Sequence, residues 1–234
     1  MKIAMWSGPR NLSTAMMYAF GARPDFAVWD EPFYAPYLAA TGIDHPMRHQ
    51  ILETHETDPA RVAALCAEPA PRDEPHIYMK HMPHHMVDDF PLDWATTCTN
   101  LHLIRHPARV IASYDAKRDS ITSDDLGFRQ QWEVYQQLGG QVIDSFDIRS
   151  DPEPALSALC DTIGLPFDPA MLSWPKGGCA DDGVWASHWY GAIHNSTGFA
   201  GPEGPLPVVQ PQHEEIFNEA MSYYDKLHAL RLRP

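Results

Sequence analysis

The sequence is poor in basic residues. Lys and Arg together number 17, against 31 Asp and Glu, which gives a formal net charge of −14 at pH 7. A protein that wraps nucleic acid or binds an anionic membrane surface needs a broad basic face, and this composition does not supply one. We therefore expect neither nucleic acid nor a membrane as a partner.

Long apolar runs are also missing. A membrane-spanning helix needs about 18 or more consecutive apolar residues, and none is present. The first ten residues, MKIAMWSGPR, lack the apolar core of roughly 7–15 residues that a secretory signal contains. These two observations predict a cytoplasmic protein.

Cysteine is scarce and widely spaced. The four cysteines, Cys66, Cys98, Cys160 and Cys179, include no CxxC pair. This spacing indicates neither a zinc site nor a disulfide scaffold, so we expect free thiols, most of them in the core.

Proline, by contrast, is abundant. There are 22 prolines, roughly twice the average usage, but proline and glycine together stay below the level that is typical of disordered chains. With 44% apolar residues, a chain of this length can bury one ordinary core. We predict a single domain over residues 1–234, with the segment 168–212 largely irregular.

Short apolar runs alternate with helical patterns along the chain. The runs, each followed by polar residues, lie at 3–6, 26–29, 77–79, 101–104 and 141–148. Helical spacing of apolar residues follows at 12–20, 108–117 and 154–163. This alternation predicts an α/β fold of three layers, a parallel sheet of about five strands flanked by helices. Ligands bind such sheets at the carboxyl ends of the strands.

The loop after the first strand has the features of a phosphate-binding loop. Residues 7–14 read SGPRNLST and open a helix, so backbone amides and the helix N-terminus can surround an anion. The loop is not a Walker A motif, because Leu12 and Ser13 precede Thr14 where that motif has Gly-Lys. Its one long cation is Arg10.

The fourth strand ends in Arg105, where many nucleotide hydrolases have an aspartate for Mg²⁺. A guanidinium repels a metal ion and attracts a phosphate. Ser113 lies more than one turn along the helix that follows. It is on the helix side that faces the start of the helix, so its hydroxyl and Arg105 can hold one anion. Both loops fall in segments without any carboxylate, 1–24 and 94–114. Two phosphate sites on adjacent strands imply a nucleotide with phosphates at two separated positions.

These segments resemble the sulfotransferase family. Residues 7–14 resemble its 5′-phosphosulfate loop, and Arg105-His106-Pro107 followed by Ser113-Tyr114 resembles its 3′-phosphate motif, with the same interval of eight. The order of elements as far as residue 167 is similar as well. The resemblance implies a P-loop-like sulfotransferase architecture with 3′-phosphoadenosine 5′-phosphosulfate (PAPS) as sulfuryl donor and no required metal.

The resemblance also implies a set of donor-binding residues. The set consists of Arg10, Asn11, Leu12, Ser13, Thr14, Arg105, Ser113 and Lys176. Arg10 would hold the 5′-phosphate and the sulfuryl oxygens, and Arg105 with Ser113 would hold the 3′-phosphate. Leu12 stands where a glycine is common in the family. Lys176, in a Lys-Gly-Gly sequence, is similar to a late Arg-Lys-Gly loop that also reaches the 3′-phosphate.

Sulfuryl transfer needs a base for the acceptor's proton and cations beside the leaving phosphate. Many cytosolic members use a histidine two residues after a lysine on the third strand, but here that position holds Met82. Glu31, at the end of the second strand, is the preferred base, and other branches of the family are similar in this. His81 is the second candidate, although on a regular strand it faces away from Lys80. Lys80 and Arg10 would stabilise the leaving group.

Two other classes of function stay open at this point. Asp30 and Glu31 also fit a metal-binding aspartate followed by a hydrolytic glutamate, as in a divergent P-loop kinase or NTPase. A non-catalytic nucleotide-binding protein is the other alternative. The missing Gly-Lys and the position of Arg105 favour a sulfotransferase that acts on a hydroxyl or amine of a small-molecule acceptor. The oligomeric state and the acceptor's identity are left open by the sequence.

An aromatic segment offers candidates for an acceptor pocket. Residues 183–202 contain no carboxylate, Lys or Arg, and hold Trp185, His188, Trp189, Tyr190 and His194. Apolar walls with a few polar groups are typical of small-molecule sites. The cluster His81, His84 and His85 is interpreted as structural or substrate-lining, because its spacing fits no closed metal-coordination pattern.

Overall fold

A five-stranded parallel sheet forms the centre of the protein. The computed structural model describes residues 1–70, 74–87, 89–115 and 121–234. The strands are β1 Lys2–Ser7, β2 Phe26–Asp30, β3 His76–His81, β4 Thr99–Ile104 and β5 Gln141–Asp144. They pair in parallel in the order β2-β3-β1-β4-β5. The predicted α/β fold with a parallel sheet is confirmed.

Helices connect and cover the strands. They are α1 Ser13–Gly21, α2 Tyr34–Thr41, α3 Arg48–Thr54, α4 Pro59–Ala67, α5 Pro107–Asp115, α6 Ser123–Leu126, α7 Phe128–Leu138, α8 Ser145–Ser150, α9 Pro152–Thr162, α10 Ala186–Trp189, α11 Gly191–His194 and α12 Glu214–Ala229. Between residues 168 and 212 the described chain consists of short helices separated by irregular segments. Among the described residues, none of the helices combines the length and the apolar character that crossing a bilayer requires.

The sheet buries apolar side chains on both faces. Along β1, Ile3 and Met5 belong to one core, whereas Ala4 and Trp6 belong to the other. Successive side chains of a strand point to opposite faces, so this alternation shows that each face of the sheet carries its own packed layer. Complete burial of a residue such as Ile3 contributes roughly 1.5–3 kcal/mol, so both layers stabilise the sheet.

The strands that follow β1 in sequence lie on both sides of it, and the strand order changes direction between β1 and β4. From β1 the chain passes to β2 and β3 on one side, and then to β4 and β5 on the other. In open α/β sheets the crevice for ligands lies at such a switch point, beyond the carboxyl ends of the strands. The buried Gln131 of α7 spans this point, since its Nε2 donates to the carbonyl oxygens of Trp6 and Leu103, both at 3.0 Å.

Several element boundaries differ from the predictions; β3, for example, is His76–His81 where the prediction was 77–79. The fifth strand, predicted over 141–148, ends at Asp144, because the Asp144 carboxylate accepts a hydrogen bond from the Phe146 amide at 2.8 Å and caps α8. The helix predicted over 108–117 is α5, Pro107–Asp115, and positions 116 and 117 lie outside the described residues.

Candidate active site

A cavity of about 710 Å³ opens at the carboxyl ends of the strands. It brings together most of the residues predicted for the site, namely Arg10, Leu12, Ser13, Thr14, Glu31, Lys80, Arg105 and Ser113. These residues come from the loop after β1, the start of α1, the end of β2, strand β3, the end of β4 and helix α5. One volume therefore holds both predicted phosphate loops and the predicted base.

The loop after β1 has a strained backbone. Arg10 and Leu12 adopt positive φ angles of 63° and 79°, in the left-handed region. A residue other than glycine or asparagine costs about 1–2 kcal/mol there, so Leu12 holds a strained conformation. Backbone of this kind turns N–H groups toward a concave side that suits an anion. Leu12 provides no side-chain cap for α1, so the first amides of the helix have no side-chain partner at that position.

Asn11 lies behind this loop rather than in the cavity. Its side chain is buried, and its Nδ2 donates to the carbonyl oxygen of Leu103 at 3.4 Å. The side chain thus ties the first loop to the end of β4. Any contribution of Asn11 to a bound phosphate would come from its backbone amide.

The two predicted phosphate loops are in direct contact. The Nε of Arg10 donates to the Ser113 hydroxyl at 2.8 Å, and a terminal nitrogen of Arg105 donates to the Arg10 carbonyl oxygen at 2.6 Å. Burial lowers the pKa of Arg10, and the neighbouring Arg105 guanidinium adds to the effect. Two crowded guanidinium groups on the wall of a cavity form an environment that favours an anion.

Arg105 also contacts a carboxylate that the sequence did not indicate. Glu203, from the irregular chain after α11, forms an ion pair with Arg105 and also with Arg109 and Arg149, both at 2.8 Å. Only 2% of its side chain is exposed. No local pattern marks Glu203, because the arginines that hold it are distant in sequence.

A buried ionic network includes Glu31, Lys80 and Tyr190, which line the cavity. The ammonium of Lys80 lies 2.8 Å from an Asp30 oxygen and 2.5 Å from a Glu31 oxygen, and it contacts the Tyr190 hydroxyl at 2.6 Å. The Tyr190 hydroxyl donates to Asp30 at 2.8 Å and accepts from Trp185 Nε1 at 3.2 Å. Lys80 is completely buried. This network fixes Glu31 and Lys80 relative to each other.

Burial and the neighbouring charges together set the pKa values of Glu31 and Lys80. Burial raises the pKa of the Glu31 carboxyl, and the negative charge of Asp30 adds to the rise, whereas Lys80 opposes it. For Lys80, burial lowers the pKa, but the attraction of Asp30 and Glu31 outweighs this and raises it. Lys80 therefore stays protonated, and the pKa of the Glu31 carboxyl lies above its ordinary value. Glu31 also has a positive φ of 42°, which indicates backbone strain at this position.

His81 is placed outside the cavity. It follows Lys80 on β3 and faces the opposite layer, where its ring lies 4.7 Å from the Trp6 ring and 4.9 Å from the Trp94 ring. Burial lowers the pKa of His81 to about 3, so the ring is neutral. His81 was the second candidate for the base. It lies on the face of the sheet away from the cavity, because successive residues of a strand point in opposite directions.

Lys176 is likewise not brought to the cavity. It is exposed on the irregular segment after β5 and α9, and it does not line the cavity wall. Of the aromatic candidates, Trp189 and Tyr190 line the cavity, whereas Trp185 packs behind Tyr190. The His194 ring contacts Asp182 at 3.0 Å.

Aromatic rings form the wall beside Glu31. The His85 ring stacks between Tyr34 and Tyr37, at 4.7 and 4.8 Å between ring centres. Its Nδ1 lies 3.9 Å from a Glu31 oxygen. Burial lowers the pKa of His85 well below its ordinary value, so this ring too is neutral. An uncharged aromatic wall suits an organic molecule.

The sheet order, the loop that opens α1 and the cavity at the strand ends define a P-loop-like α/β protein. Within this class, residues 1–231 match the sulfotransferase domain family. The chain belongs to that family, as the resemblance of its two loops predicted.

Relatives among curated proteins come from Arabidopsis thaliana. Branched-chain-amino-acid aminotransferase-like protein 2 is 32% identical over 230 residues, covering 96% of this chain and 41% of that protein. Branched-chain-amino-acid aminotransferase-like protein 1 is 33% identical, with the same coverage. The chain therefore spans less than half the length of these relatives.

Solved sulfotransferase domains share the fold. The sulfotransferase domain from the curacin biosynthetic pathway superimposes with a TM-score of 0.57 at 15% identity, covering 99% of this chain and 98% of that one. The sulfotransferase domain of the Synechococcus PCC 7002 olefin synthase gives 0.57 at 16% identity, with 100% and 96% coverage. A sulfotransferase from Alicyclobacillus acidocaldarius gives 0.55 at 13% identity, with 98% and 96% coverage.

Proposed function

We propose that this protein transfers the sulfuryl group of PAPS to a hydroxyl or amine of a small-molecule acceptor. The observation that carries the proposal is that one cavity is lined by residues of both phosphate loops and by Glu31 and Lys80. Membership of the sulfotransferase domain family supports it. The donor would lie along this cavity, with its sulfuryl group toward Glu31.

The two phosphate loops, which are in contact, offer two neighbouring anion sites. The amides of the first turn of α1 and the hydroxyls of Ser13 and Thr14 suit the 5′-phosphate, and Arg105 with Ser113 suits the 3′-phosphate. The Arg10 guanidinium donates to the Ser113 hydroxyl and so connects the first loop to α5. One side chain spans both sites, which supports a ligand whose two phosphates are carried by a single ribose.

The proposed reaction uses Glu31, Lys80 and Arg10. The acceptor oxygen or nitrogen attacks sulfur while Glu31 takes its proton, and the sulfur–oxygen bond to the 5′-phosphate breaks. The electron pair of that bond stays on the phosphate oxygen, where Lys80 and Arg10 would neutralise the growing charge. The raised pKa of Glu31 makes it a stronger base than an exposed carboxylate. The products are adenosine 3′,5′-bisphosphate and the sulfated acceptor.

The geometry of Asp30 favours this reading over a kinase or NTPase. The Asp30 carboxylate accepts from Lys80, from Tyr190 and from the Gly183 amide at 3.2 Å, and it does not line the cavity. Both oxygens of the aspartate that a kinase would use for Mg²⁺ are thus bonded within the protein. A purely binding role is the second alternative, and turnover separates it from an enzyme.

The direct test is a transfer assay with PAPS that is radiolabelled in its sulfuryl group, against a panel of alcohols, phenols and amines. We expect a labelled product with at least one class. Glu31→Gln should lower the rate by about 10²–10⁴-fold and leave the binding of adenosine 3′,5′-bisphosphate unchanged. His81→Phe is the matched control, because His81 lies on the opposite face of the sheet. Full activity of Glu31→Gln would rule out Glu31 as the base, and no transfer to any class would favour a binding role.

A further inference from the structure

Ion pairs hold an irregular segment of the chain beside the predicted 3′-phosphate site. We call residues 198–205 the strap. Its first three residues line the cavity beside Arg105 and Ser113, and the Phe199 ring packs edge-on against Trp174. Beyond them Glu203 is the one buried acid of the strap, whereas the Gly and Pro residues on both sides of it are exposed.

Three arginines hold the strap. The Glu203 carboxylate contacts Arg105 at the end of β4, Arg109 of α5 and Arg149 of α8. Arg149 also donates to the Gly201 carbonyl oxygen at 2.6 and 3.0 Å, and Arg109 donates to the Gly204 carbonyl oxygen. These are contacts that an anion with more charge and more oxygens can replace.

The carboxylate occupies the guanidinium to which we assign the 3′-phosphate. Of Arg105's terminal nitrogens, one is bonded to Glu203 and the other to the Arg10 carbonyl. The Nε of Arg105 is buried and has no acceptor among the residues that the structure describes. Three guanidinium groups face one carboxylate, so two positive charges are not balanced within this cluster. The cluster therefore suits an anion of higher charge than a carboxylate.

We propose that Glu203 is an internal competitor of the 3′-phosphate at the donor site: it occupies Arg105 when the site is empty, and the 3′-phosphate displaces it. The proposal rests on the proposed function for the identity of the ligand. A phosphate monoester carries up to two charges on three terminal oxygens, and it competes successfully for guanidinium groups. A nucleotide with a free 3′-hydroxyl cannot do so. Glu203 therefore lowers the affinity for a nucleotide with a 3′-phosphate and leaves the affinity for a nucleotide without one unchanged.

The strap can release Glu203 into solvent. Gly201 and Gly204 are exposed and have open space around their α-carbons. Glycine allows the backbone rearrangement that displacement of the side chain requires. The protein then has two states. In one the donor is bound and the strap is released, and in the other the site is empty and Glu203 holds the strap on the arginines.

Calorimetric titration of Glu203→Gln tests the competition. The substitution keeps the shape of the side chain and removes its charge, so we expect adenosine 3′,5′-bisphosphate to bind about tenfold more tightly or better, with adenosine 5′-phosphate unchanged. Glu153→Gln, which removes an exposed carboxylate of α9, is the control for net charge. Unchanged or weaker binding of the bisphosphate by Glu203→Gln overturns the proposal, because Glu203 would then only order the arginines.

Hydrogen exchange gives a second, separate readout. In the wild-type protein, adenosine 3′,5′-bisphosphate should increase exchange in residues 200–205, and adenosine 5′-phosphate should not. If the bisphosphate binds and the strap stays protected, the role of Glu203 is wrong while the proposed function stands. If the bisphosphate binds neither the wild-type protein nor Glu203→Gln, the proposed function itself fails.

Discussion

Replacing Lys80 with methionine would leave two buried carboxylates without the cation they share. The Lys80 ammonium lies within 2.8 Å of both Asp30 and Glu31, and it is completely buried. Methionine fills most of the volume of the lysine stem, so packing changes little. The principal effect is therefore electrostatic.

The magnitude follows from what is left unpaired. Removing one partner of a buried ion pair destabilises a protein by about 3–5 kcal/mol, and here two carboxylates depend on the same cation. A domain's total stability is about 5–15 kcal/mol. We expect Lys80→Met to lower the free energy of unfolding by about 3–5 kcal/mol near pH 8, a large fraction of the whole.

The loss should depend on pH in a defined direction. The pKa of Glu31 is already raised in the folded wild-type protein, and without Lys80 it rises further. The folded variant then binds more protons than the unfolded chain, so its stability falls as pH rises above the unfolded value of 4.5. One proton corresponds to a slope of up to about 1.4 kcal/mol per pH unit until the folded pKa is passed. The variant should accordingly regain stability near pH 5.5, relative to wild type.

Urea unfolding at these two pH values, followed by tryptophan fluorescence, measures the effect. The double variant Lys80→Met/Glu31→Gln removes one of the stranded carboxylates and should be more stable than Lys80→Met near pH 8. Lys80→Arg retains a cation and serves as the charge control. A loss below about 1 kcal/mol near pH 8, or a double variant no more stable than Lys80→Met, would refute this description of the network.

Three further predictions concern the donor site, the unused histidine and the sheet. Arg105→Ala should weaken the binding of adenosine 3′,5′-bisphosphate by roughly 10–100-fold and leave adenosine 5′-phosphate unaffected, as measured by calorimetry. His81→Phe should retain transfer activity, because its neutral ring packs on Trp6 outside the cavity; loss of activity with the fold intact would return His81 to the mechanism. Gly140→Ala places a Cβ 2.3 Å from the Asn100 carbonyl oxygen at a φ of 118°, and should lower the unfolding free energy by about 2–5 kcal/mol in urea titration.

Much of the fold was predictable because strands and loops differ sharply in composition. Each strand contains a short apolar run with polar residues at or just after its end, so the pattern of apolar residues located the sheet. The fifth strand shows the limit of this signal. Residues 145–148 also alternate between polar and apolar, and only the hydrogen bond from the Phe146 amide to Asp144 decides in favour of a helix.

Local motifs located the residues that stand on loops at the strand ends. Arg10, Arg105 and Glu31 reach one cavity because the carboxyl ends of parallel strands meet at one edge of the sheet. Lys176 had only a three-residue likeness to support it, and it lies outside the cavity.

The contacts that the sequence did not predict are long-range. Tyr190 was a candidate for the acceptor wall, but its hydroxyl bonds to Lys80 and Asp30, which are more than a hundred residues away. Gln131 and Glu203 likewise bond to partners on distant elements. Side-chain networks of this kind are set by tertiary packing, and no spacing along the chain records them.

We propose that this cavity binds PAPS through its two phosphates. Calorimetric titration of the full chain with adenosine 3′,5′-bisphosphate, without Mg²⁺, tests it most directly, beside adenosine 5′-phosphate and Mg-ATP. The site geometry predicts that the bisphosphate binds most tightly, without any need for the metal, and that Arg105→Ala removes its advantage over adenosine 5′-phosphate. A preference for Mg-ATP, or equal affinity for the bisphosphate and adenosine 5′-phosphate, would contradict the account.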